Sequence, residues 1–415
     1  MRTFIIHAIL LCCLCLRAQV PYTVIANPGQ DASTEININF HTDPGAGVRH
    51  VKYAPVGQRW DKALRAEAGQ EICTVYDSMY SKRADGENFY ETPSPVRNVV
   101  NLAGLCPATK YRYLIEGDTV VRYFRTAPAE ARFTAAIISD FHCYPPLPGR
   151  QRAAMAMLDT LRSVNGGDFD LVIHLGDICA WGGSYSFWRG LYEEPYFKNY
   201  AWAGLNGNHD NMDRTNKKNS GRFFKNANAV PLNGYAGQEG VCYYFKYGDV
   251  LFVALNSEAM RTDEGLAQAQ GWVNAVLEKE KARYVVVMEH YQWFFGESGK
   301  DSQYPRWRDF FDGHGVDLAL GANNHRYVST PPLKGGKAVP PGEGTVYIQT
   351  PSSDDERGES IGDLEYNSGI IKTRWAEGPH TVGAMLMDVT PGRMTLTLYD
   401  RHGTIVDRNV ILPHR

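Results

Sequence analysis

Five short stretches place an acid, an amide or an imidazole directly after an apolar run. They are "SDFH" with Asp140 and His142, "LGD" with Asp177, "GNHD" with Asn208, His209 and Asp210, "MEH" with His290, and "GANNH" with Asn323 and His325. One strand-end histidine is more often structural than chemical. Five such ends with hard oxygen donors and imidazoles are difficult to explain by packing, because a buried carboxylate without a counter-charge is costly. A cluster of cations would resolve that cost. Carboxylate, imidazole and amide oxygen together suit iron, manganese or zinc and do not choose among them.

Residues spread over nearly two hundred positions need a scaffold that gathers them. The runs "FTAAIISDFH", "FDLVIHLGDIC", "YAWAGLNGNHD" and "YVVVMEH" are continuously apolar and are separated by helix-like stretches. The stretch 264 to 282 pairs Trp272 with Val276 and Val273 with Leu277 at i, i+4, and Thr262 or Asp263 could cap it. Buried strands alternating with helices predict an α/β domain, which sets its polar residues at the carboxyl ends of the strands. The late runs "TVYIQT", "TVGAMLMDV" and "RMTLTLYD" add a mixed sheet or a two-sheet sandwich. Ahead of the short linker "APAEA" (127 to 131), residues 20 to about 127 alternate with period two between Gly, Pro and Asp-Pro-Gly turns. That predicts a small all-β sandwich with no clustered acid, base or ligand set.

The ordered set D-x-H, G-D, G-N-H-D, His and (G)H-x-H resembles the calcineurin-like metallophosphoesterase superfamily. Within it the resemblance is to the purple-acid-phosphatase-like branch with an N-terminal β-domain. "GLCPATKYRY" followed by "YFRTAP" resembles the end of a fibronectin type III-like module. The resemblance implies an αββα mixed-sheet sandwich over residues 128–415, preceded by a fibronectin type III-like domain over 19–127. It also implies two divalent or trivalent metal ions, Fe, Mn or Zn. Asp140, His142, Asp177 and His325 would bind the first ion, and Asp177 would bridge to a second held also by Asn208 and His290. His209 would assist the leaving alkoxide, with Asp210 orienting its ring. The implied reaction is hydrolysis of a phosphoric ester by metal-bound hydroxide, on a small-molecule or macromolecular substrate.

There are two departures from that pattern. The purple enzymes carry a tyrosine ligand three residues after the bridging Asp; Ala180 stands there and His142 takes its place, so a colourless or weakly coloured protein is expected. In "DLALGANNHRYVST", His325 falls on the final histidine of the pattern, but Asn323 falls where the second metal's histidine belongs. An amide oxygen can still ligate, although more weakly than imidazole, or water can fill the position. Retained activity with an altered metal requirement is the expectation. Phosphodiester hydrolysis, or non-catalytic phosphate or glycan binding with an impaired second metal site, are the alternatives.

A net charge of −3 and no long basic run argue against a nucleic-acid partner. Residues 1–18, "MRTFIIHAILLCCLCLRA", combine Arg2, an apolar run from Phe4 to Leu16 and a small residue at Ala18. That pattern predicts a cleaved signal peptide and export to the periplasm or medium, with lipid anchoring less favoured and no later transmembrane segment. Cys73, Cys106, Cys143, Cys179 and Cys242 remain, an odd number, and Cys143 and Cys179 could lie close enough to pair. Oligomeric state is not legible. His314 and His174 read as loop and core histidines. The aromatic run 181 to 202 reads as packing under the site, and Ser257 and Glu258 as weak pocket candidates. Arg326 reads as a phosphate contact or a surface ion pair, and "SSDDERGE" (352 to 359) as a solvated loop or, less favoured, a border of the cleft.

Overall fold

A computed structural model describes residues 20–73, 79–82, 88–91, 94–212, 221–295, 302–357 and 368–414. The expected signal peptide lies outside these residues. Among them no helix is long and apolar enough to cross a membrane.

The continuous apolar runs become strands with both faces covered. In Val250–Ala254 every residue is buried. Val250, Phe252 and Ala254 point into one core, while Leu251 and Val253 point into another. Successive side chains of a strand face opposite ways, so an unbroken apolar run is what a doubly covered strand requires. Each fully buried aliphatic or aromatic side chain contributes roughly 1.5–3 kcal/mol, which fixes the register on both faces.

Two sheets form the αββα sandwich. The six-stranded sheet runs, in spatial order, Trp202–Gly204, Leu171–His174, Phe133–Ile138, Gly383–Val389, Met394–Asp400 and Ile405–Ile411. The seven-stranded sheet runs Tyr243–Tyr247, Val250–Ala254, Tyr284–Met288, Leu318–Gly321, Val346–Gln349, Tyr327–Ser329 and Thr373–Trp375. Helix Gly149–Asn165 covers the first sheet with Ala154, Met157, Leu158 and Leu161. Helices Asp263–Lys279 and Tyr304–His314 cover the second. Of the two candidate caps for Asp263–Lys279 the molecule uses Thr262, whose Oγ1 accepts from the Gly265 amide at 3.1 Å.

Parallel register brings the ligand-bearing ends together. Ile138 pairs with His174, and His174 with Gly204. Ala254 pairs with Met288, Met288 with Leu320, and Leu320 with Ile348. The chain segments after these strands therefore leave each sheet at one edge.

The N-terminal region is all-β. One antiparallel sheet is ordered Tyr22–Pro28, Ile36–Thr42, Val96–Leu102, Gly69–Ile72; the other Arg122–Arg125, Lys110–Ile115, His50–Pro55, Leu64–Glu67. Period two is strict in "ININFHT": Ile36, Ile38 and Phe40 are fully buried in the core. The alternate polar residues face the chain at 226–229, with Asn39 and His41 fully buried and Asn37 half-buried. Asn37 and Asn39 donate to the carbonyls of Ala229 and Ala227 at 2.8 and 3.2 Å, and His41 Nε2 lies 2.7 Å from the Asn226 carbonyl. The polar stripe of this strand is thus a seam.

A second seam joins the two large sheets. Asp407 accepts from Tyr327 Oη at 2.9 Å, Ser329 Oγ at 2.7 Å and Lys372 Nζ at 2.9 Å. Burial alone would raise this carboxyl, but the bonds from Ser329, Lys372 and Tyr327 win and hold it at about 2. A depressed carboxyl stabilises the fold above its unfolded value of 3.8, and that stability is lost as pH falls through the folded value near 2. Asp407→Asn should cost on the order of 2 kcal/mol in urea unfolding at neutral pH. The gap to wild type should narrow across the acid range; an equal gap at all pH values would refute the assignment.

Candidate metal centre

The loops after the parallel strands meet at one buried cluster. Asp140, His142 and His325 offer ligand atoms within 4.8 Å of one another, as do His142, Asp177 and His209, and Asp140, Asp177 and His290. Asp177 stands in the middle: its Oδ2 lies 3.2 Å from His142 Nε2, and its Oδ1 lies 3.3 Å from His290 Nε2. Asn208 Oδ1 is 3.1 Å from the same His290 nitrogen. Asp140 Oδ1 faces His325 Nε2 at 3.5 Å and is buried with no hydrogen bond.

Each imidazole is turned by a bond to its other nitrogen. His142 Nδ1 donates to the Asp140 carbonyl at 2.9 Å, His209 Nδ1 to that of Ala180 at 2.8 Å, and His290 Nδ1 to that of Leu175 at 2.8 Å. His325 Nδ1 donates to the Arg357 carbonyl. With Nδ1 occupied, Nε2 is the nitrogen left to accept or to ligate, an arrangement typical of metal-binding histidines.

The backbone is bent into an uncommon shape to do this. Asp140, His142, Asp177, Asn323 and His325 have φ between +42° and +70°, and only Thr23 and Ala108 share the left-handed region among the described non-glycine residues. Such conformations cost free energy and persist where the surroundings impose them, commonly at functional sites. Two glycines permit the close approach. A Cβ on Gly176 would lie 2.3 Å from His290 Nδ1, and one on Gly207 would lie 2.2 Å from Asp177 Oδ1.

Charge balance inside the cluster is tight. Burial would raise the Asp177 carboxyl, but the charges of His290 and His209 and the His142 bond hold it well below its usual range. Asp140 is likewise lowered against its burial, chiefly by the His325 ring 3.5 Å away and by the His290 charge. Burial lowers His290, but Asp177 and Asp140 outweigh it and bring it up to about 10. Protons on imidazoles here occupy the place that cations would take, and the unbonded Asp140 Oδ1 is an oxygen donor awaiting one. The donor set therefore fits a pair of cations.

Several sequence expectations need correcting. Asp210 does not orient His209. Its carboxylate accepts from the amides of Cys179 at 2.9 Å, Gly207 at 3.0 Å and Ile178 at 3.3 Å, tying the Asp177 loop to the Asn208 loop. The Ala180 carbonyl holds the His209 ring. The run at 352 to 359 is a solvated loop only in part: Ser352, Ser353 and Asp354 are fully buried, Glu356 is exposed, and residues 358 and 359 lie outside the described set. Asp354 Oδ2 lies 3.3 Å from His142 Nδ1. It was missed although it follows the strand Val346–Gln349, the same strand-end position as the other ligands. Arg326 is buried and stacks 6.0 Å from the Phe295 ring, lining the cleft rather than the surface.

Other residues sit as expected or behind the site. Ser257 Oγ accepts from the amides of His290 and Tyr291 at 3.0 and 3.1 Å and so positions that loop from behind, while Glu258 accepts from Tyr291 Oη. His314, expected in a loop, is instead the last residue of the helix Tyr304–His314, on the surface and stacked on Phe310. His174 is a core residue that burial lowers to about 3. In the aromatic run, Tyr185, Phe187, Trp188 and Phe197 are buried packing. Cys143 and Cys179 are neighbours across a backbone bridge, but both are free thiols.

Two clefts open from the cluster. One of about 490 Å³ is lined by Asn208, Arg261, Tyr291, Gln292, Arg306 and Asn323. The other, of about 440 Å³, is lined by Asp177, His209, Phe295, His325, Arg326 and Arg357, and shares Gln292 and Asn323.

Residues 133–327 match the family model of calcineurin-like phosphoesterases. No curated protein matches the chain. Among solved structures, the purple acid phosphatase PPD1 from yellow lupin (Lupinus luteus) seeds is similar at TM-score 0.71 and 14% identity, over 95% of this chain and 75% of that one. The structure of PhoD is similar at TM-score 0.59 and 14% identity, over 95% of this chain and 94% of that one. Identities this low speak for fold alone. The family match, the αββα sandwich and the all-β region ahead of it agree: the chain carries a calcineurin-like phosphoesterase domain, the domain of metal-dependent phosphoric ester hydrolases.

Proposed function

We propose that this protein is an exported hydrolase of phosphoric esters acting at a two-cation centre. One observation carries the reading: the Asp177 carboxylate turns one oxygen towards His142 and the other towards His290, as a ligand shared by two cations must. Asp140, His142, Asp177 and His325 would hold the first ion; Asp177, Asn208 and His290 would hold the second. Cations bound there supply charge neutralisation for a phosphoryl group and acidify a water. His209 lines the cleft beside Asp177; burial lowers its ring below the usual histidine range, while the Asp177 charge favours a second proton on it. Its Nε2 is the atom on which a proton for the leaving oxygen would be held and handed over. Asp210, through its three backbone amides, keeps His209 and Asp177 at a fixed separation.

The paired clefts favour diesters as a second reading. They lie on either side of Gln292 and Asn323, with Arg261 and Arg306 in one and Arg326 and Arg357 in the other. A diester has a substituent for each arm. Chelator-stripped protein reloaded with Mn²⁺, Zn²⁺ or iron should hydrolyse p-nitrophenyl phosphate or bis(p-nitrophenyl) phosphate. Loaded protein with no turnover on either ester would leave only a binding role. Export is tested by the N-terminus of the secreted protein, which should begin at Gln19.

A further inference from the structure

Asn323 stands where the resemblance calls for an imidazole, and its side chain is held by a specific partner. Its φ of +70° is one that asparagine tolerates better than most residues. Its backbone amide donates to Asp140 Oδ2 at 3.3 Å, which ties it to the cluster. Its Nδ2 donates to Gln292 Oε1 at 2.5 Å. Gln292 follows His290 by two residues and is only 6% exposed, so its carbonyl is a fixed acceptor. A primary amide carries nitrogen and oxygen on one planar carbon. Tying the nitrogen to Gln292 turns Asn323 Oδ1 away from that partner. Among the described residues nothing donates to this oxygen, and Asn323 faces the clefts that also contain Asn208 and Asp177.

We propose that Gln292 is a positioning residue that presents the Asn323 carbonyl as an oxygen donor to the second cation, and that this makes the second position selective for a hard ion. The inference rests on the two-cation reading given above. With Asn323 included, the second position has oxygens from Asp177, Asn208 and Asn323, and one nitrogen, from His290. The first position has two imidazoles, His142 and His325. Oxygen-rich sets suit Mn²⁺, Mg²⁺ or Ca²⁺, whereas each added imidazole shifts preference towards Zn²⁺. The two positions should therefore differ in metal preference within one protein.

The test is metal binding to chelator-stripped full-length protein, with Mn²⁺ and Zn²⁺ titrated separately and followed by calorimetry and by the Mn²⁺ resonance signal. Wild type should bind two Mn²⁺, one more weakly. Gln292→Leu should weaken the weaker ion by about 10–100-fold and leave the tighter one unchanged, the size expected for loss of an outer-shell partner. Gln292→Glu keeps the acceptor oxygen and should restore binding. Asn323→His should raise Zn²⁺ relative to Mn²⁺ at the weaker position by about 10-fold or more. It acts on a cleft-facing side chain, so it keeps the test decisive if Gln292→Leu does not fold. Two bound ions in wild type with an unchanged Mn²⁺/Zn²⁺ ratio in Asn323→His, or with unaltered weaker-site affinity in folded Gln292→Leu, would overturn this inference alone. Wild type that binds no ion would overturn the metal centre and this inference together.

Discussion

Asp177→Asn is expected to lower turnover of p-nitrophenyl phosphate or its bis ester by about 10³-fold or more and to reduce the cation count below two. The substitution is nearly isosteric, so packing is little disturbed. What changes is charge. Asp177 turns its two oxygens to two imidazoles, His142 on one side and His290 on the other. A neutral amide can offer one oxygen to one cation. It also removes the negative charge that now raises His290 and His142. Loss of about 10³-fold corresponds to about 4 kcal/mol of transition-state stabilisation, within what positioned cations supply. Metal analysis and turnover should fall together in this variant. Full turnover in Asp177→Asn would remove the shared carboxylate from the account.

The second large effect concerns His209. His209→Ala should leave the cation count unchanged and lower kcat by about 10²–10⁴-fold, the range for loss of a positioned proton donor. The loss should depend on the leaving group. Nitrophenolate departs readily without a proton, so the nitrophenyl ester should show the smaller deficit and an alkyl phosphate the larger. A structural role alone would give one deficit for both. Equal losses on the two substrates, or loss of a metal ion, would show that His209 does not deliver the proton. The Ala180 carbonyl, which fixes the ring through Nδ1, is a backbone group and has no side chain to delete.

The strand-end positions of the site were legible because chemistry and periodicity coincide there. Short unbroken apolar runs alternating with helix-like stretches fit covered strands, and the acid or imidazole after such a strand sits at a sheet edge. That logic found Asp140, Asp177, His290 and His325 without knowing the register. It failed where a side chain's partner is set by loops from elsewhere. Asp210 is adjacent to His209 in sequence, which suggested a pair, but its carboxylate turns away to three amides of the neighbouring turns. Asp354 lies in a polar run that reads as solvated, and becomes buried only because the loop after Val346–Gln349 folds beneath His142. The polar face of "ININFHT" is invisible as a seam until the segment at 226–229 is laid on it. The left-handed backbone at five ligand-loop residues carries only a weak sequence signal: none of the five is glycine, although Asp, Asn and His tolerate that region better than most residues.

The most direct test of the central claim is anomalous diffraction from crystals of the chelator-stripped, Mn²⁺-reloaded protein. The account predicts two peaks about 3.5–4 Å apart, one on each side of the Asp177 carboxylate. The first should be bounded by Asp140, His142 and His325, and the second by Asn208 and His290. Peaks elsewhere on the molecule, or none within ligand distance of Asp177, would contradict it.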